Sequence, residues 1–590
     1  MMRLEIINNI IEITVPAKKP DDTSPSGLRK GLTNYGDTGF SLFLRKAFIK
    51  AMGYSDDALD RPIIGIVNTH SDFNPCHGNV PALVEAVKRG VMLAGGMPMA
   101  FPTISIHESF AHPTSMFLRN LMAMDTEEMI RAQPMDAVVL IGGCDKTLPA
   151  QIMAAASADL PAIVLPTGPM VVGHHKGEVL GACTDCRRLW GRYRAGEIDE
   201  QEIEAVNGRL APSVGTCMVM GTASTMAILA ETLGLSLPGA AAIPATHADR
   251  IRCAEATGQA AARLAVTGGP RPSEILGPGA FRNAMVALQA VGGSTNGLVH
   301  LAAIAGRVGQ PIDYAEFDRI GRETPVLVDL KPSGAHYMEH FHHAGGVPHL
   351  LAELRDLLDL TVPTVAGSTL ADTLPQPGEW RDESVIRPRS NPLKAQGAMA
   401  VLQGNLCPRG AVIKQSAATP SLLQHTGRAV VFESVEDMAA RIDDPDLDVA
   451  ADDVLVLRSA GPKGAPGMPE AGYLPIPRKL AQQGVKDMVR LSDARMSGTA
   501  FGTIVLHIAP ESAAGGPLAL VRTGDRIRLD VAGRRLDLLV DEAELARRAS
   551  EAPPPKPAPD RGYARLFHDS VLQADEGCDF DFLVPGRKAG

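Results

Sequence analysis

Three chemically different side chains stand next to one another at Cys144, Asp145 and Lys146. They follow the run 136–141 and two glycines, and a proline comes three residues after the lysine. A short β-branched run closed by glycines predicts a buried strand, and the proline predicts a helix start. A thiolate, a carboxylate and an amine are therefore expected at the carboxyl end of a strand, where they suit metal binding or catalysis. A buried cysteine beside a solvated ion pair is the alternative for this tripeptide taken alone.

Two further cysteines lie in similar loops. Cys76 follows the predicted strand 62–67, and Cys217 lies in the glycine- and threonine-containing segment 213–218. The three cysteines are 68 and 73 residues apart (144 − 76 = 68; 217 − 144 = 73), so their spacing gives no metal-binding signature. Thiolates gathered from separate loops suit zinc or an iron–sulfur cluster, and three ligands leave one iron open as a Lewis acid. A small buried hydrophobic residue is the alternative for each cysteine.

The segments around these residues alternate between strand and helix patterns. Such a βαβ series predicts an α/β domain with a mostly parallel sheet covered by helices, whose strands bind ligands at their carboxyl ends. The predicted strands are 62–67, 100–106, 136–141 and 162–166. The predicted helices are 81–94, 113–131, one that ends at 158, and then 222–233, 249–264 and 294–305.

The pattern changes beyond a stretch rich in Pro, Gly, Ser and Thr at 363–392. We therefore expect a boundary near residue 390, which divides the chain into an N-terminal extension 1–34, the α/β domain 35–390 and a β-rich, barrel-type domain 391–590. A hairpin is expected at Ala532-Gly533. The predicted strands of the last domain are 398–403, 428–432, 454–457, 502–508, 526–531 and 535–540. The proline-rich stretch 553–559 is expected to lead the tail 563–583 back onto the body of the protein.

Length and charge exclude several classes of protein. A chain of 590 residues exceeds what one hydrophobic core usually serves. The formal net charge of −10 and the lack of a basic run argue against a nucleic-acid partner. The apolar stretch 4–15 is too short to span a bilayer and lacks the features of a signal peptide, so a cytoplasmic protein without a membrane partner is expected. Eight scattered cysteines do not form a disulfide framework.

Seven fragments in register resemble one family, the iron–sulfur and Mg²⁺-dependent dihydroxy-acid and sugar-acid (aldonate) dehydratases. The resemblance runs from about residue 35 to the C-terminus. It implies an α/β domain, a C-terminal β-barrel domain, and a site between them. The fragments are 74–78 (Asn-Pro-Cys-His-Gly), 143–147 (Gly-Cys-Asp-Lys-Thr), 213–217 (Ser-Val-Gly-Thr-Cys), 220–224 (Met-Gly-Thr-Ala-Ser), 292–296 (Gly-Gly-Ser-Thr-Asn), 461–464 with 466–470, and 492–499.

The resemblance also implies the cofactors and their ligands. Cys76, Cys144 and Cys217 would hold the iron–sulfur cluster, with [2Fe–2S] favoured over [4Fe–4S]. The ligands implied for Mg²⁺ are Glu108, Asp145, Glu470 and Lys146, the last as a carbamylated lysine that offers oxygen in place of a cation. Mg²⁺ prefers such carboxylate oxygens together with water. Solvated surface carboxylates are the alternative for the two glutamates.

Ser497 resembles the base of the family, and Thr499 is expected to orient the serine or the substrate. Near Mg²⁺ a serine alkoxide is stabilised, much as a metal lowers the pKa of bound water. The implied reaction removes the C2 proton and the C3 hydroxyl of a 2,3-dihydroxy acid, and the enol becomes a 2-keto-3-deoxy acid. Ser294 and Thr295 at a helix start would offer N–H groups to the substrate or serve as a plain N-cap.

The substrate expected from the resemblance is a small polyhydroxy acid such as arabinonate, xylonate or galactonate. Thr147 and Glu108 resemble the sugar-acid branch, whereas His112 stands where many of its members carry Arg. The alternatives are a dihydroxy-acid dehydratase of branched-chain amino-acid biosynthesis, a cluster-bearing sensor, and a zinc-stabilised binding module. A homodimer or homotetramer is expected.

Two other groups of metal-ligand type are given no metal role. Cys183 and Cys186 have the spacing of a redox or zinc pair. The sequence has no second cysteine pair to complete a zinc site, and neither residue belongs to a family motif. The histidines at 340, 342 and 343 are expected to be exposed on a polar helix.

Overall fold

The N-terminal domain is built on a four-stranded parallel sheet. In the computed structural model, which describes residues 26–376, 379–552, 554 and 557–587, the sheet has the strand order β2-β1-β3-β4. Every residue of the last two strands is buried, which explains why they are continuous apolar runs. The strands are β1 (Ile63–Asn68), β2 (Met97–Pro102), β3 (Ala137–Gly142) and β4 (Ala162–Pro166).

The predicted strand 100–106 is displaced in the structure, because β2 starts and ends earlier in the sequence. β2 lies at the edge of the sheet. Its prolines are tolerated there because a proline has no N–H to donate and one side of an edge strand has no neighbouring strand. After Pro102 the chain leaves the sheet, and the backbone N–H of Ile104 donates to the carboxylate of Asp125 at 2.8 Å instead. The loop that follows carries Glu108 away from the strand.

Helices surround this sheet, and all those predicted for the N-terminal domain are present. The predicted helix 113–131 begins as a 3₁₀ turn at Ser115–Leu118 before it continues as an α-helix. The helices are α1 (Thr38–Ala51), α2 (Asp56–Leu59), α3 (Val80–Leu93), α4 (Arg119–Ala132), α5 (Thr147–Ala158), α6 (Thr184–Arg194), α7 (Glu200–Leu210), α8 (Thr222–Thr232), α9 (Ala248–Thr267), α10 (Pro272–Ile275), α11 (Pro278–Ala290), α12 (Thr295–Arg307), α13 (Tyr314–Glu323), α14 (Met338–His343) and α15 (Gly346–Glu353). A short hairpin, β5 (Gly173–His175) and β6 (Glu178–Leu180), precedes α6.

Helix α3 buries one face against the sheet and packs closely on α9. Leu83, Val84, Val87 and Val91 form its predicted apolar face, and all four are buried. A Cβ at Gly90 would lie 1.9 Å from the carbonyl oxygen of Glu255, so a glycine is required where the two helices meet.

The C-terminal domain contains a closed eight-stranded barrel, as the sequence predicts. Its strand order is β10-β11-β12-β8-β7-β14-β13-β9, with both parallel and antiparallel pairs. β13 and β14 form the predicted hairpin. The strands are β7 (Ala400–Gly404), β8 (Cys407–Ile413), β9 (Gln424–Phe432), β10 (Val454–Leu457), β11 (Val489–Ser492), β12 (Ile504–Ala509), β13 (Arg526–Asp530) and β14 (Arg535–Leu538). The helices are α16 (Val435–Arg441), α17 (Arg478–Gln482), α18 (Glu542–Ser550) and α19 (Gly562–Ser570).

The C-terminal tail returns to the N-terminal domain, as predicted. Phe567 and Phe580 of the tail are buried in one cluster with Met116. Tyr563 donates its hydroxyl to the carbonyl of Phe117 at 2.7 Å, and Arg307 pairs with Asp579 at 2.5 Å in a fully buried setting. The tail therefore fastens the two domains to each other.

No helix within the described ranges is both long and apolar enough to cross a bilayer. The apolar stretch 4–15 lies outside the described residues.

Candidate active site

Neighbouring strands bring the predicted site residues of the N-terminal domain to one edge of the sheet. Cys76 lies in a 3₁₀ turn, Pro75–His77, after β1, and Glu108 opens another, Glu108–Phe110, after β2. Cys144, Asp145 and Lys146 come directly after β3. Because the strands are parallel, these loops all stand at their carboxyl ends, where ligands bind in open α/β sheets.

Cys76 and Cys144, two of the three predicted cluster ligands, meet at this edge, and Cys217 lies near enough for its charge to affect Cys76. Cys76 and Cys144 lie with His107 in a group whose ligand atoms are all within 4.8 Å of one another. Residue 216, next to Cys217, bonds to the chain that follows β4, with its N–H 2.9 Å from the carbonyl oxygen of Gly168. A hydrogen bond with Cys144, burial, and the charges of Cys144 and Cys217 all raise the pKa of the Cys76 thiol well above its usual value.

His77 holds two of the cysteine loops together. Its Nε2 accepts hydrogen bonds from the backbone N–H groups of Gly143 and Cys144, both at 3.1 Å. Its Nδ1 lies 2.9 Å from the carbonyl oxygen of Thr69 and acts there as the donor. Burial lowers the pKa of His77 to about 4, so the ring is neutral and keeps both roles at physiological pH. Sequence reasoning did not assign a role to His77, although it follows Cys76 within the same motif.

Gly143 allows the Cys144 loop to pass close to the chain after β4. A Cβ at this position would lie 1.7 Å from Oγ1 of Thr167, which itself donates to the carbonyl of Cys76 at 2.8 Å. A glycine is therefore required at this position for steric reasons, in addition to its role in ending the strand.

Three predicted carboxylates from both domains form a second group beside the thiols. Glu108, Asp145 and Glu470 place one carboxylate oxygen each within 4.8 Å of one another. Lys146 is fully buried; its Nζ contacts the carboxylate of Asp145 and lies 3.6 Å from Glu108. Burial raises the pKa of Glu470, as expected for a carboxylate that has lost water.

Arg495 connects these carboxylates, and the sequence analysis did not find it. Its Nη1 donates to Glu470 at 2.6 Å, and its Nη2 donates to both oxygens of Glu108 at 3.0 Å. Burial would raise the pKa of Glu108, but Arg495 and Lys146 outweigh it and hold that pKa well below its usual range. The only sequence signal for Arg495 was its place within the fragment 492–499.

Ser497 and Thr499 stand close together in the loop that follows Arg495. Ser497 Oγ and Thr499 Oγ1 are 2.8 Å apart and share a hydrogen bond. The loop is anchored to the N-terminal domain, since Thr184 donates to the carbonyl of Thr499 at 2.9 Å and Asn296 donates to the carbonyl of Met496 at 3.0 Å. The serine is therefore held in place from both domains.

Gly498 lies against the start of α12. A Cβ there would be 2.4 Å from Cβ of Ser294, so only glycine permits this approach. Ser294 accepts a hydrogen bond from the N–H of Asn296 at 3.2 Å, which confirms the N-cap alternative for that serine. Thr295 Oγ1 is buried and makes no hydrogen bond within the described part of the chain.

Two groups that were given no metal role have unexpected surroundings. Cys183 Sγ lies 3.2 Å from Cys217 Sγ, so the Cys183 and Cys186 pair stands beside a predicted cluster ligand. Of the histidines at 340, 342 and 343, the first and last are exposed as predicted, but His342 is buried. That prediction was wrong for His342 because it lies on the buried face of α14 with Met338 and Phe341. Its ring is 5.7 Å from that of His247, measured between centroids.

The residues present fit both implied groups by their chemistry. The pKa of the Cys76 thiol is raised by its hydrogen bond with Cys144, by burial and by the charges of Cys144 and Cys217, and a cationic iron centre would offset the cost of ionising thiols placed in this way. Three converging carboxylates supply the hard oxygens that Mg²⁺ prefers.

Comparisons with known proteins cover almost the whole chain. The model for the dihydroxy-acid/6-phosphogluconate dehydratase N-terminal domain matches residues 61–373, and the model for the C-terminal domain of the same family matches residues 384–578.

Three named relatives illustrate the range of similarity. An L-arabonate dehydratase of Azospirillum brasilense is 50% identical over 94% of this chain and 97% of its own length. An L-arabinonate dehydratase of Rhizobium leguminosarum bv. trifolii is 47% identical over 93% of this chain and 95% of its own length. A dihydroxy-acid dehydratase of Moorella thermoacetica is 40% identical over 88% of this chain and 95% of its own length.

Proposed function

The chain belongs to the dihydroxy-acid/6-phosphogluconate dehydratase family and is a dehydratase, and we propose that it converts a sugar acid to a 2-keto-3-deoxy acid. The proposed substrate is an aldonate such as arabinonate, xylonate or galactonate. The higher identity to the relatives named for arabonate and arabinonate than to the one named for dihydroxy acids supports this choice. Thr147 and Glu108 support it as well.

One observation carries the proposal, namely the contact of Arg495 with Glu108 and Glu470. It brings the C-terminal loop with Ser497 to the sheet edge that bears the thiols and the carboxylates. A general base, hard oxygen ligands and soft sulfur ligands thereby meet in one place, as removal of water from a dihydroxy acid requires.

In the proposed holoenzyme, Cys76, Cys144 and Cys217 hold an iron–sulfur cluster, with [2Fe–2S] favoured. Mg²⁺ is held by Glu108, Asp145 and Glu470, together with Lys146 in its carbamylated form. When bound, these groups supply Lewis acidity toward the substrate carboxylate, the C2 hydroxyl and the departing C3 hydroxyl.

The residues of the chain then carry the proton chemistry and the positioning. Ser497 takes the C2 proton, and Thr499 orients Ser497 Oγ through their 2.8 Å hydrogen bond. The electron pair of the C2–H bond forms the C2=C3 bond as the C3 hydroxyl leaves, and the resulting enol tautomerises to the keto acid. Arg495 keeps Glu108 ionised and holds the loop that contains Ser497 and Thr499, the base loop, against the carboxylates.

The remaining features of the proposal concern the whole protein. We propose a domain boundary near residue 390; the two family matches end at residue 373 and begin at residue 384. None of the eight cysteines, all of which lie in the described ranges, forms a disulfide, which suits the reducing cytoplasm. A homodimer or homotetramer is proposed as the assembled form.

Anaerobic assay of the purified protein against a panel of aldonates tests the proposed function. Formation of a 2-keto acid from at least one aldonate, in preference to 2,3-dihydroxyisovalerate, is the expected result. Preference for dihydroxyisovalerate would assign the chain to the branched-chain alternative instead. A coloured protein with no turnover on any dihydroxy acid would favour the cluster-bearing sensor, and a colourless zinc protein would favour the binding module.

A further inference from the structure

A large cavity lies beside the site, between α6 and the C-terminal domain. Its volume is about 750 Å³. Cys186, Arg187 and Trp190 line it from α6, and Tyr473 and Phe501 line it from the C-terminal domain. Tyr473 shares a 3₁₀ turn with Glu470, Phe501 stands two residues after Thr499, and Nη2 of the lining residue Arg187 is 3.9 Å from Glu470 Oε2, so the wall of the cavity adjoins the carboxylates.

Helix α6 is a rigid wall for this cavity, because its first turn is fixed by a buried carboxylate. Asp185 accepts hydrogen bonds from the N–H of Gly181 at 2.8 Å, from the hydroxyl of Tyr337 at 2.9 Å and from Nζ of Lys331 at 3.1 Å. Thr184 in the same turn bonds to the carbonyl of Thr499. The side chains of α6 are thus held at a constant position relative to the base loop.

Most of the arginines in the cavity wall already have partners. Arg188 donates to Asp185 at 3.0 Å, Arg192 donates to Glu197 at 3.1 Å, and Arg194 donates to the carbonyl of Ile476 at 3.1 Å. These contacts neutralise the charges or occupy the donors, so these three side chains serve the wall itself.

Arg187 differs from them. Its guanidinium lies over the ring of Tyr473 at 5.1 Å, and its Nη2 is 3.9 Å from Glu470 Oε2, beyond hydrogen-bond distance. Its Nε is buried and has no hydrogen-bond partner among the described residues. A buried N–H donor without a partner is costly, and a guanidinium offers several donors in a fixed plane. Arg187 is therefore preorganised for an oxygen-rich ligand that approaches from the carboxylates.

We propose that Arg187 and this cavity form the subsite for the polyhydroxyl tail of the substrate, an inference that rests on the proposed function. The carboxylate and C2 hydroxyl of the substrate lie at the Mg²⁺-binding carboxylates of the protein. The tail beyond C3 extends past Glu470 to Arg187. The guanidinium donates to tail hydroxyls, and Tyr473 holds it from one side. An aliphatic tail leaves these donors unsatisfied, so Arg187 selects sugar acids against branched-chain dihydroxy acids.

Binding of inert analogues to the cluster- and Mg²⁺-loaded protein tests this inference without turnover. A 3-deoxypentonate has the same carboxylate and C2 hydroxyl as 2-hydroxy-3-methylbutanoate, lacks a leaving group at C3, and alone carries tail hydroxyls. Anaerobic calorimetry should show that the wild type binds the 3-deoxypentonate at least about tenfold more tightly. Arg187→Leu should remove most of this ratio, and Arg187→Lys should retain part of it, since a lysine donates without the planar fork.

Arg441→Leu is the matched control. Its guanidinium also lies over an aromatic ring, that of Phe432 at 5.2 Å, but it does not line the cavity. Its binding ratio should equal that of the wild type. Cluster absorbance and circular dichroism establish that each variant is folded, and if Arg187→Leu does not fold, the ratio of Arg187→Lys decides.

The outcomes separate this inference from the proposed function. If the wild type binds neither analogue, both the proposed function and the proposed subsite are contradicted. If both analogues bind but the ratio is near one, or is unchanged in the Arg187 variants, the subsite alone is overturned and the dehydratase remains.

Discussion

Arg495 and Glu108 are 387 residues apart in the sequence, yet Nη2 of the arginine lies 3.0 Å from both carboxylate oxygens of the glutamate. Arg495 is almost completely buried, and the same guanidinium reaches Glu470. One side chain thus satisfies two carboxylates from different domains and joins the domains at the site.

Replacement of Arg495 by Met should destabilise the protein. Breaking a buried ion pair leaves an uncompensated charge, and the carboxylates here are 24% and 19% exposed, so we expect a loss of about 2–4 kcal/mol in the free energy of unfolding. Urea unfolding measures this loss. The exposed pair Arg319 and Glu323 is the control, for which Arg319→Met should lower the free energy of unfolding far less. An equal effect of both variants would contradict the structural role of Arg495.

Replacement of Cys144 by Ser should remove the iron–sulfur cluster. A serine hydroxyl is a poor ligand for iron compared with a thiolate, so iron, sulfide, brown colour and turnover should be lost together. Chemical analysis of iron and sulfide in anaerobically purified protein measures the outcome. Cys407→Ser is the matched control, because Cys407 is buried in the barrel with its thiol on the carbonyl of Leu402 at 3.5 Å. A full cluster in Cys144→Ser would refute the ligand assignment.

Removal of Mg²⁺ should abolish turnover and leave the cluster absorbance largely intact. The carboxylate group and the thiol group are separate sets of ligands, one of oxygen and one of sulfur. Glu470→Gln should raise the Mg²⁺ concentration needed for half-maximal activity, since an amide oxygen carries no charge. Metal titration of the chelated protein checks both results, and a chelated enzyme that still turned over would exclude Mg²⁺ from the mechanism.

The sequence predicted most of the fold because the relevant signals are local. β3 and β4 are fully buried apolar runs, and α3 has one apolar face, so each pattern has one structural solution. The strands β5, β6, β8 and β11 were missed. β8 begins Cys-Pro-Arg-Gly, where the proline, the charge and the glycine hide the pattern, and β11 has only four residues.

The candidate site was predictable only in part, because some of its contacts join distant segments. The motifs named Cys76, Glu108 and Ser497, but the sequence offers no local sign that Arg495 meets Glu108 or that His77 bonds to the Cys144 loop. The position of Cys183 beside Cys217 likewise depends on tertiary packing.

Lys414 should make the stability of the protein depend on pH. Its side chain is buried, its Nζ contacts only the carbonyl of Gly498 at 3.4 Å among the described residues, and burial lowers its pKa from 10.5 to about 7. Between these two values the unfolded state binds a proton that the folded state does not, so the contribution of Lys414 to stability rises with pH from about 7 to 10.5 and is lowest below 7.

Lys414→Met removes this unfavourable burial of a charge. The variant should be more stable than the wild type at pH 6, by an amount on the order of a few kcal/mol, and the difference should shrink toward pH 10. Urea unfolding of both proteins at several pH values measures it. A difference that is constant with pH would mean that the lysine is not titrating in this range.

Replacement of Ser497 by Ala separates the proposed base from residues that only bind. The variant loses the Oγ that faces Thr499 but keeps the anchoring contacts of Thr184 and Asn296 with the loop, so fold, cluster and Mg²⁺ content should be retained. We expect kcat to fall by roughly 10²- to 10⁴-fold or more, the usual cost of losing a general base, with KM little changed. This loss corresponds to about 3–5 kcal/mol of transition-state stabilisation. Thr499→Val, which leaves the base in place without its partner, should lower kcat less.

In deuterated water the Ser497→Ala variant should also fail to exchange the C2 hydrogen of the substrate, which is measured by proton magnetic resonance. A variant with wild-type kcat and only a raised KM would make Ser497 a binding residue, and the base would then be sought at Lys146.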